Sequence, residues 1–407
     1  MHIKSNYKKI VNKDSSIYAF GELFNQLIPV IIFPILLAKI GLESLGGVIL
    51  YQIIIGYGFL FMFFGLRTYG ATSLIRSKTK NQLKSRLSTI IFLYLSIFLL
   101  ISIIIILILL FFGEELKTGI ILIFSILGSF LISNSFYIGL QKLKAFTFTV
   151  IFSKVIYLFI IILFVDKETN IIDIILYRSI PNIFIGILGF KLIGIIKIFS
   201  FNFINLRLMK YYITKGFYFL ISDLTISFKD KAHYFLVNEY IGLSAVAILD
   251  GGQKLIVLLH RPSAIISSVL LKTTSQKNTK IEFSFILIIL LISIFGYSIF
   301  YIFNGIMFEY ALKNMSSYVW LFKIYLLSVF PLSLSSFFIQ NYIIPRGWTK
   351  IVVNNSIVTT TFYILFTVIL IVLELYTLKN AVVIILLTYS VELFYITKSL
   401  FYTNEKN

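Results

Sequence analysis

Between Gly216 and Val237 an otherwise apolar stretch carries Asp223, Lys229, Asp230, Lys231 and His233, with Ser222, Thr225 and Ser227 interleaved. Ammonium groups in apolar surroundings suit anionic ligands, phosphates above all, because each offers a full charge and three donors. Carboxylates at the same depth either balance those cations or carry a proton or sodium ion. His233 reads as a satisfied polar group or as a proton carrier. Asp250 and Lys254 stand four residues apart, the spacing at which helical side chains meet, so they either neutralise one another or face a ligand. No grouping pairs a nucleophile with a base, so the chemistry these residues suit is binding and ion movement. His2, His233 and His260 are too few and too scattered for a zinc site. Cysteine is absent, which excludes disulfides and thiolate metal ligands.

The elements that must position these charges follow from composition. Of 407 residues, 59% are apolar and only 13% charged, with a mean hydropathy of +0.97. Such a chain cannot cover its surface with polar groups, which excludes a soluble enzyme or a DNA-binding regulator. A spanning helix takes about 20 apolar residues. Apolar runs punctuated by charge, Asn and Gly predict twelve spans: 17–38, 46–66, 87–112, 119–140, 146–165 and 171–190, then 216–237, 243–260, 283–303, 317–340, 351–373 and 380–397. The first run lacks a small-residue cleavage site and reads as a permanent helix. The expected fold is all-α and polytopic.

Sorting the loop charges fixes an orientation. With the N-terminus inside, 25 basic residues fall in inner segments, from Lys4, Lys8, Lys9 and Lys13 through Arg67, Arg76 and Arg86 to Arg346, Lys350 and Lys398. Five fall outside: Lys39, Lys117, Lys167, Lys313 and Lys379, in loops that also carry Glu43, Glu114, Glu115, Asp166, Glu168 and Glu309. The asymmetry follows the positive-inside rule and predicts both termini in the cytoplasm. The +19 net charge is therefore topological, with contact to anionic lipid secondary and no nucleic acid implied.

An internal repeat organises the spans. Ile40-Gly41-Leu42 followed by Gln52 matches Ile241-Gly242-Leu243 followed by Gln253, and the same offset places Glu22-Leu23 on Asp223-Leu224. Short apolar matches also arise by chance in a chain rich in Ile and Leu. Read as a repeat, the match predicts two pseudo-symmetric six-helix lobes, residues 1–200 and 201–407, with a substrate cavity at their interface. Within spans lie Lys154, Arg178, Lys229, Lys231, Lys254 and Lys323, and the acids Glu22, Asp223, Asp230, Asp250, Glu282 and Glu392. Mid-bilayer charges face protein or a wet cavity. Arg178, Glu282, Lys323 and Glu392 lie near span ends, where long side chains reach the interface.

Several segments resemble one family. Phe33-Pro34 through Ala38-Lys39 to Gly41, with Gly46 and Gln52, is similar to the first-to-second span connection of bacterial polysaccharide-repeat flippases. These are the O-antigen and capsule exporters of the multidrug/oligosaccharidyl-lipid/polysaccharide superfamily. Gly65-Leu66-Arg67 with Gly70-Ala71-Thr72 and Arg76 resembles the end of that family's second span, and Gly139 through Lys144 the turn after its fourth. Gly216-Phe217-Tyr218, Ile241-Gly242-Leu243, Ala245-Val246 and Gln253-Lys254-Leu255 resemble its seventh and eighth spans. The resemblance covers roughly residues 15–275 in order. One departure stands out: the family often has Asp nine residues before the Gly of the seventh-span exit, and this chain has His233 there, with Asp230 one turn earlier.

The resemblance implies export of an undecaprenyl-diphosphate-linked oligosaccharide across a bacterial inner membrane by alternating access, alongside a polysaccharide polymerase and a chain-length regulator. On that reading Lys229, Lys231, Lys254 and Arg67 contact diphosphate or glycan. Glu22, Asp223, Asp230, Asp250 and His233 serve proton or sodium coupling or charge balance, and no cofactor or metal is needed. A drug/cation antiporter of the same superfamily is the nearest competitor, with a cavity expected to favour acids or apolar walls. A lipid II flippase of the same fold is expected to carry more than twelve spans. A membrane glycosyl polymerase or ligase is expected to work from long outer loops, whereas the longest outer connection here is about 304–316.

Overall fold

The computed structural model describes residues 2–113, 115–276, 283–346 and 348–405. Among them the chain is helical throughout, without strands. The helices are α1 (His2–Phe63), α2 (Leu66–Ile75), α3 (Lys80–Phe112), α4 (Leu116–Leu131), α5 (Asn134–Gly139), α6 (Leu143–Phe164), α7 (Ile171–Leu192), α8 (Ile195–Ile198), α9 (Leu206–Tyr240) and α10 (Leu243–Gln276). They continue with α11 (Phe283–Ile306), α12 (Val319–Leu326), α13 (Val329–Phe338), α14 (Thr349–Val372) and α15 (Leu378–Glu405). Hydrocarbon supplies no hydrogen-bond partners, so a chain this apolar satisfies its backbone within helices. Ten helical stretches among the described residues are long and apolar enough to cross a membrane.

The expected first and second spans lie in one such stretch, Phe20–Phe63, because the chain passes between them without a loop. The only non-helical residue there is Gly41, at φ 78°. Gly242, its partner in the sequence repeat, takes φ 113°. Both are left-handed positions that glycine adopts without a Cβ penalty, so the two ends of the match use the same device to separate helices. The expected seventh span falls within α9, a continuous helix whose polar residues set it apart from the apolar candidates.

The chain forms two compact units. The first comprises residues 1–40 and 47–224. In it α7 packs on α4 and α6 through small residues: a Cβ on Gly186 would stand 2.5 Å from Leu131 Cβ, and one on Gly128 3.2 Å from the Ser179 carbonyl oxygen. Tyr94, Phe130, Phe136 and Phe190 form an edge-to-face cluster at its centre, with Phe63 tilted against Tyr94. Polar side chains inside are paired: Ser125 with Ser179, and Tyr137, whose hydroxyl donates to Thr149 Oγ1 at 3.3 Å. Lys39 caps the C-terminal end of α6, its ammonium donating to the carbonyls of Ile162 and Val165 at 2.8 and 2.7 Å. The following turn is closed by Thr169, whose hydroxyl donates to Asp166 at 2.7 Å and holds that carboxyl below its usual range. By contrast α3 leaves this packing after Tyr94; none of its remaining residues is buried, and Leu99, Leu107, Leu110 and Phe111 stand open.

The second unit comprises residues 41–46 and 225–407. Ile289, Phe337, Phe338, Tyr342, Ile343, Ile396 and Leu400 form its core. A polar seam runs along α10: Gln253 accepts from the Tyr325 hydroxyl at 3.0 Å, His260 Nδ1 meets Ser333 at 3.0 Å, and Ser267 accepts from Asn341 at 2.6 Å. Asn341 sits in a π-helical turn, Ile339–Ile343, where the extra residue per turn aims its amide inward. Residues 41–46 belong here because Gly46 abuts the Leu243 carbonyl: a Cβ would stand 2.0 Å from that oxygen.

Candidate functional site

The first half of α9 is fixed in the first unit by a backbone crossing. A Cβ on Gly65 would lie 2.3 Å from the Gly216 carbonyl oxygen, and one on Gly216 2.5 Å from the Phe64 carbonyl oxygen. No other residue type lets the two backbones approach this closely. Aromatic side chains extend the contact: Tyr69 stacks on Phe219 with ring centroids 5.9 Å apart and donates to the Tyr211 hydroxyl at 2.7 Å, and Ser73 meets the Tyr212 hydroxyl at 2.6 Å.

This crossing brings Arg67 and Asp223 together. Arg67 is the second residue of α2, just past Gly65, and Asp223 lies two turns beyond Gly216, close enough for the guanidinium to act on the carboxylate. Both are exposed, so each remains within reach of a ligand or an ion. Lys254 and Asp250 form a direct ion pair on α10 with side chains 22% and 17% exposed.

The other sites named from the sequence are dispersed. Glu22 is half-buried and accepts from Asn134 Nδ2 at 3.2 Å, on the short helix α5. Asn134→Ala is expected to lower the unfolding free energy by about 1–2 kcal/mol by leaving this carboxylate short of a donor, which thermal denaturation of the purified protein checks. Lys231 is half-buried. His233 is buried between aromatic rings, 4.1 Å from the Tyr234 centroid and 6.2 Å from that of Tyr363. The side chains of Lys229 and Asp230, and Glu282 as a whole, lie outside the described residues. Lys323 rests over the Tyr301 ring at 4.6 Å. Among the described residues no group of three or more His, Asp or Glu could hold a metal ion.

A further polar cluster lies between α6 and α7. Ser153, Lys154 and Tyr157 project from α6, and Arg178 and Asn182 from α7; Ser153 donates to Asn182 Oδ1 at 2.5 Å. The spacing carries a signal within each helix but none for the meeting of the two. Ser153 and Tyr157 are i and i+4 on one helix, Arg178 and Asn182 i and i+4 on the next, so each pair shares a face.

The polysaccharide biosynthesis protein family matches the chain over residues 11–277. No curated protein matches it in sequence. In fold it is similar to a lipid II flippase (MurJ) in an inward closed conformation, with a TM-score of 0.73, 16% identity, and coverage of 94% of this chain and 87% of the other. It is also similar to an inward-facing multidrug resistance transporter of the MATE family within the MOP superfamily. There the TM-score is 0.67 at 12% identity, covering 95% of this chain and 96% of the other. These likenesses establish the fold as that of flippases and transporters, and ten apolar spans establish a multi-pass membrane protein. With about two thirds of its length under one family pattern, from before the first span to past the eighth, the chain belongs to the polysaccharide biosynthesis protein family.

Proposed function

We propose that the protein is a flippase, not an enzyme, which moves an undecaprenyl-diphosphate-linked oligosaccharide repeat unit from the inner to the outer leaflet of a bacterial inner membrane by alternating access. Its product feeds O-antigen or capsular polysaccharide assembly, with a polymerase and a chain-length regulator downstream. Both termini are cytoplasmic on this reading, as the basic inner loops require. The observation that carries it is the union of a polysaccharide-biosynthesis family match with the fold of flippases and transporters, to which the exposed Arg67 and the half-buried Lys231 add cations for an anionic ligand. Anionic diphosphate needs such groups, and translocation needs no bond to be made or broken. On this reading Asp223, on which Arg67 acts, exchanges that guanidinium for a coupling ion as the guanidinium turns to a ligand.

Cells lacking the gene test the reading. Complete lipid-linked repeat units should accumulate on the cytoplasmic face while surface polysaccharide disappears, and restored Lys231→Ala protein should reach the membrane yet export about tenfold less or worse, for one lost charge-assisted contact. Single units that reach the outer leaflet unpolymerised would make the protein a polymerase or ligase. Unchanged lipid-linked sugars would favour the drug/cation antiporter that the second structural likeness suggests.

A further inference from the structure

The polar cluster between α6 and α7 is not used by the transport reading above. Lys154 is 7% exposed, Tyr157 5%, Asn182 3% and Ser153 fully buried, and Arg178 is half-buried. Lys154 stands at the middle of α6 and Arg178 and Asn182 near the middle of α7, so these groups lie at the depth where an unbalanced charge is most costly. Arg178 acts electrostatically on both Lys154 and Tyr157, so the two nearest charges have the same sign.

Among the described residues, counter-charge is not supplied by the helices packed around them. On α7, Asp173 is paired with Lys117 at 3.1 Å, and Lys191 lies at the far end. On α1, Glu22 is held by Asn134; on α5, the Tyr137 hydroxyl donates to Thr149. Among the described residues neither Lys154 nor Arg178 forms an ion pair. The hydrogen bond from Ser153 occupies Asn182 Oδ1, which leaves that amide its two N–H donors. At the level where Ser153 joins Asn182, α6 and α7 therefore present an ammonium, a guanidinium, an amide NH2 and a phenol, a set rich in donors and poor in acceptors. Its chemical complement is a group with several acceptor oxygens and negative charge.

We propose that Lys154, Arg178 and Asn182 form an oxyanion site inside the first unit, which takes a phosphate or diphosphate group. The chemistry is common to a lipid-linked diphosphate and to a soluble phosphate, and only the first source rests on the flippase reading.

The test uses the full-length protein purified in detergent, titrated with inorganic diphosphate and separately with a polyprenyl diphosphate, with the thermal-unfolding midpoint as readout. Wild type should be stabilised. Lys154→Met should need about tenfold more of either probe or worse, and Lys154→Arg, which keeps the charge, should stay within about threefold of wild type. Half-saturation by the polyprenyl form at a concentration about tenfold lower than that of inorganic diphosphate assigns the lipid headgroup; equal values assign a soluble anion. Should Lys154→Met fail to fold, Arg178→Met takes its place with the same expectation. A wild type that responds to neither probe, or a methionine variant that responds like wild type, overturns the site. Because the readout is binding, it separates from transport: unchanged lipid-linked sugars in cells lacking the gene, with binding lost in Lys154→Met, would end the flippase reading and leave the site standing.

Discussion

Gly216→Ala is expected to destabilise the protein by about 3 kcal/mol or more and to empty the membrane of folded protein. The new Cβ would stand 2.5 Å from the Phe64 carbonyl oxygen and 3.1 Å from the Leu66 side chain. The near atom belongs to backbone, which cannot swing aside as a side chain does. Relief requires α2 and the start of α9 to part, and that forfeits the Tyr69–Tyr211 and Ser73–Tyr212 hydrogen bonds and the Tyr69–Phe219 stack. Arg67 and Asp223 would separate in the same movement. Gly305→Ala is the matched control: a Cβ there meets nothing within 4 Å, so the identical substitution should be neutral or gain about 0.5–1 kcal/mol through its helix preference. Thermal unfolding of the two variants side by side checks the contrast, and a Gly216→Ala protein as stable as wild type would show that the crossing is not tight.

The second large effect is expected at the ion pair on α10. Lys254→Ala leaves the largely buried Asp250 carboxylate without its cation, and loss of one member of a buried pair costs about 3–5 kcal/mol. Partial exposure of both side chains places the expected loss at the lower end, near 3 kcal/mol. Removing both charges, as in Asp250→Asn with Lys254→Met, should bring stability back to within about 1 kcal/mol of wild type. Unfolding midpoints around this double-mutant cycle measure the coupling. If Lys254→Ala unfolds like wild type yet loses export, Lys254 belongs to the ligand and not to Asp250.

How much of this was legible in the sequence differs from residue to residue. The all-helical, membrane-spanning fold was, because hydrophobic run length and the sidedness of Lys and Arg are properties of single segments. The Asp250–Lys254 pair was also within reach, since i, i+4 contacts are fixed by helix geometry alone, although the spacing could not choose between pairing and ligand contact. Gly41 was visible as part of a repeat, yet a break without a loop depends on a backbone angle that only the structure supplies. The meeting of Arg67 with Asp223 was hidden, because it depends on which helices cross and where. Gly65 and Gly216 each stood in a motif, but nothing in one segment names its partner in another. Lys154 and Arg178 were hidden differently. Arg178 looked like a residue near a span end, and its significance lies in facing a buried lysine from the neighbouring helix.

The sparsely covered C-terminal half of α3 changes what counts as the folded protein. From Leu95 to Phe112 no residue of this helix is buried, and only the Ile105–Leu109 side meets α4 at Gly119, so most of the contacts that neighbouring helices give elsewhere come here from acyl chains. Its backbone hydrogen bonds are internal and persist in any apolar solvent, but its position and tilt are set by the thickness of the hydrocarbon around it. Annular lipid is thus a structural component for this segment, and exchanging it for a short-chain detergent alters the molecule and not only its solubility.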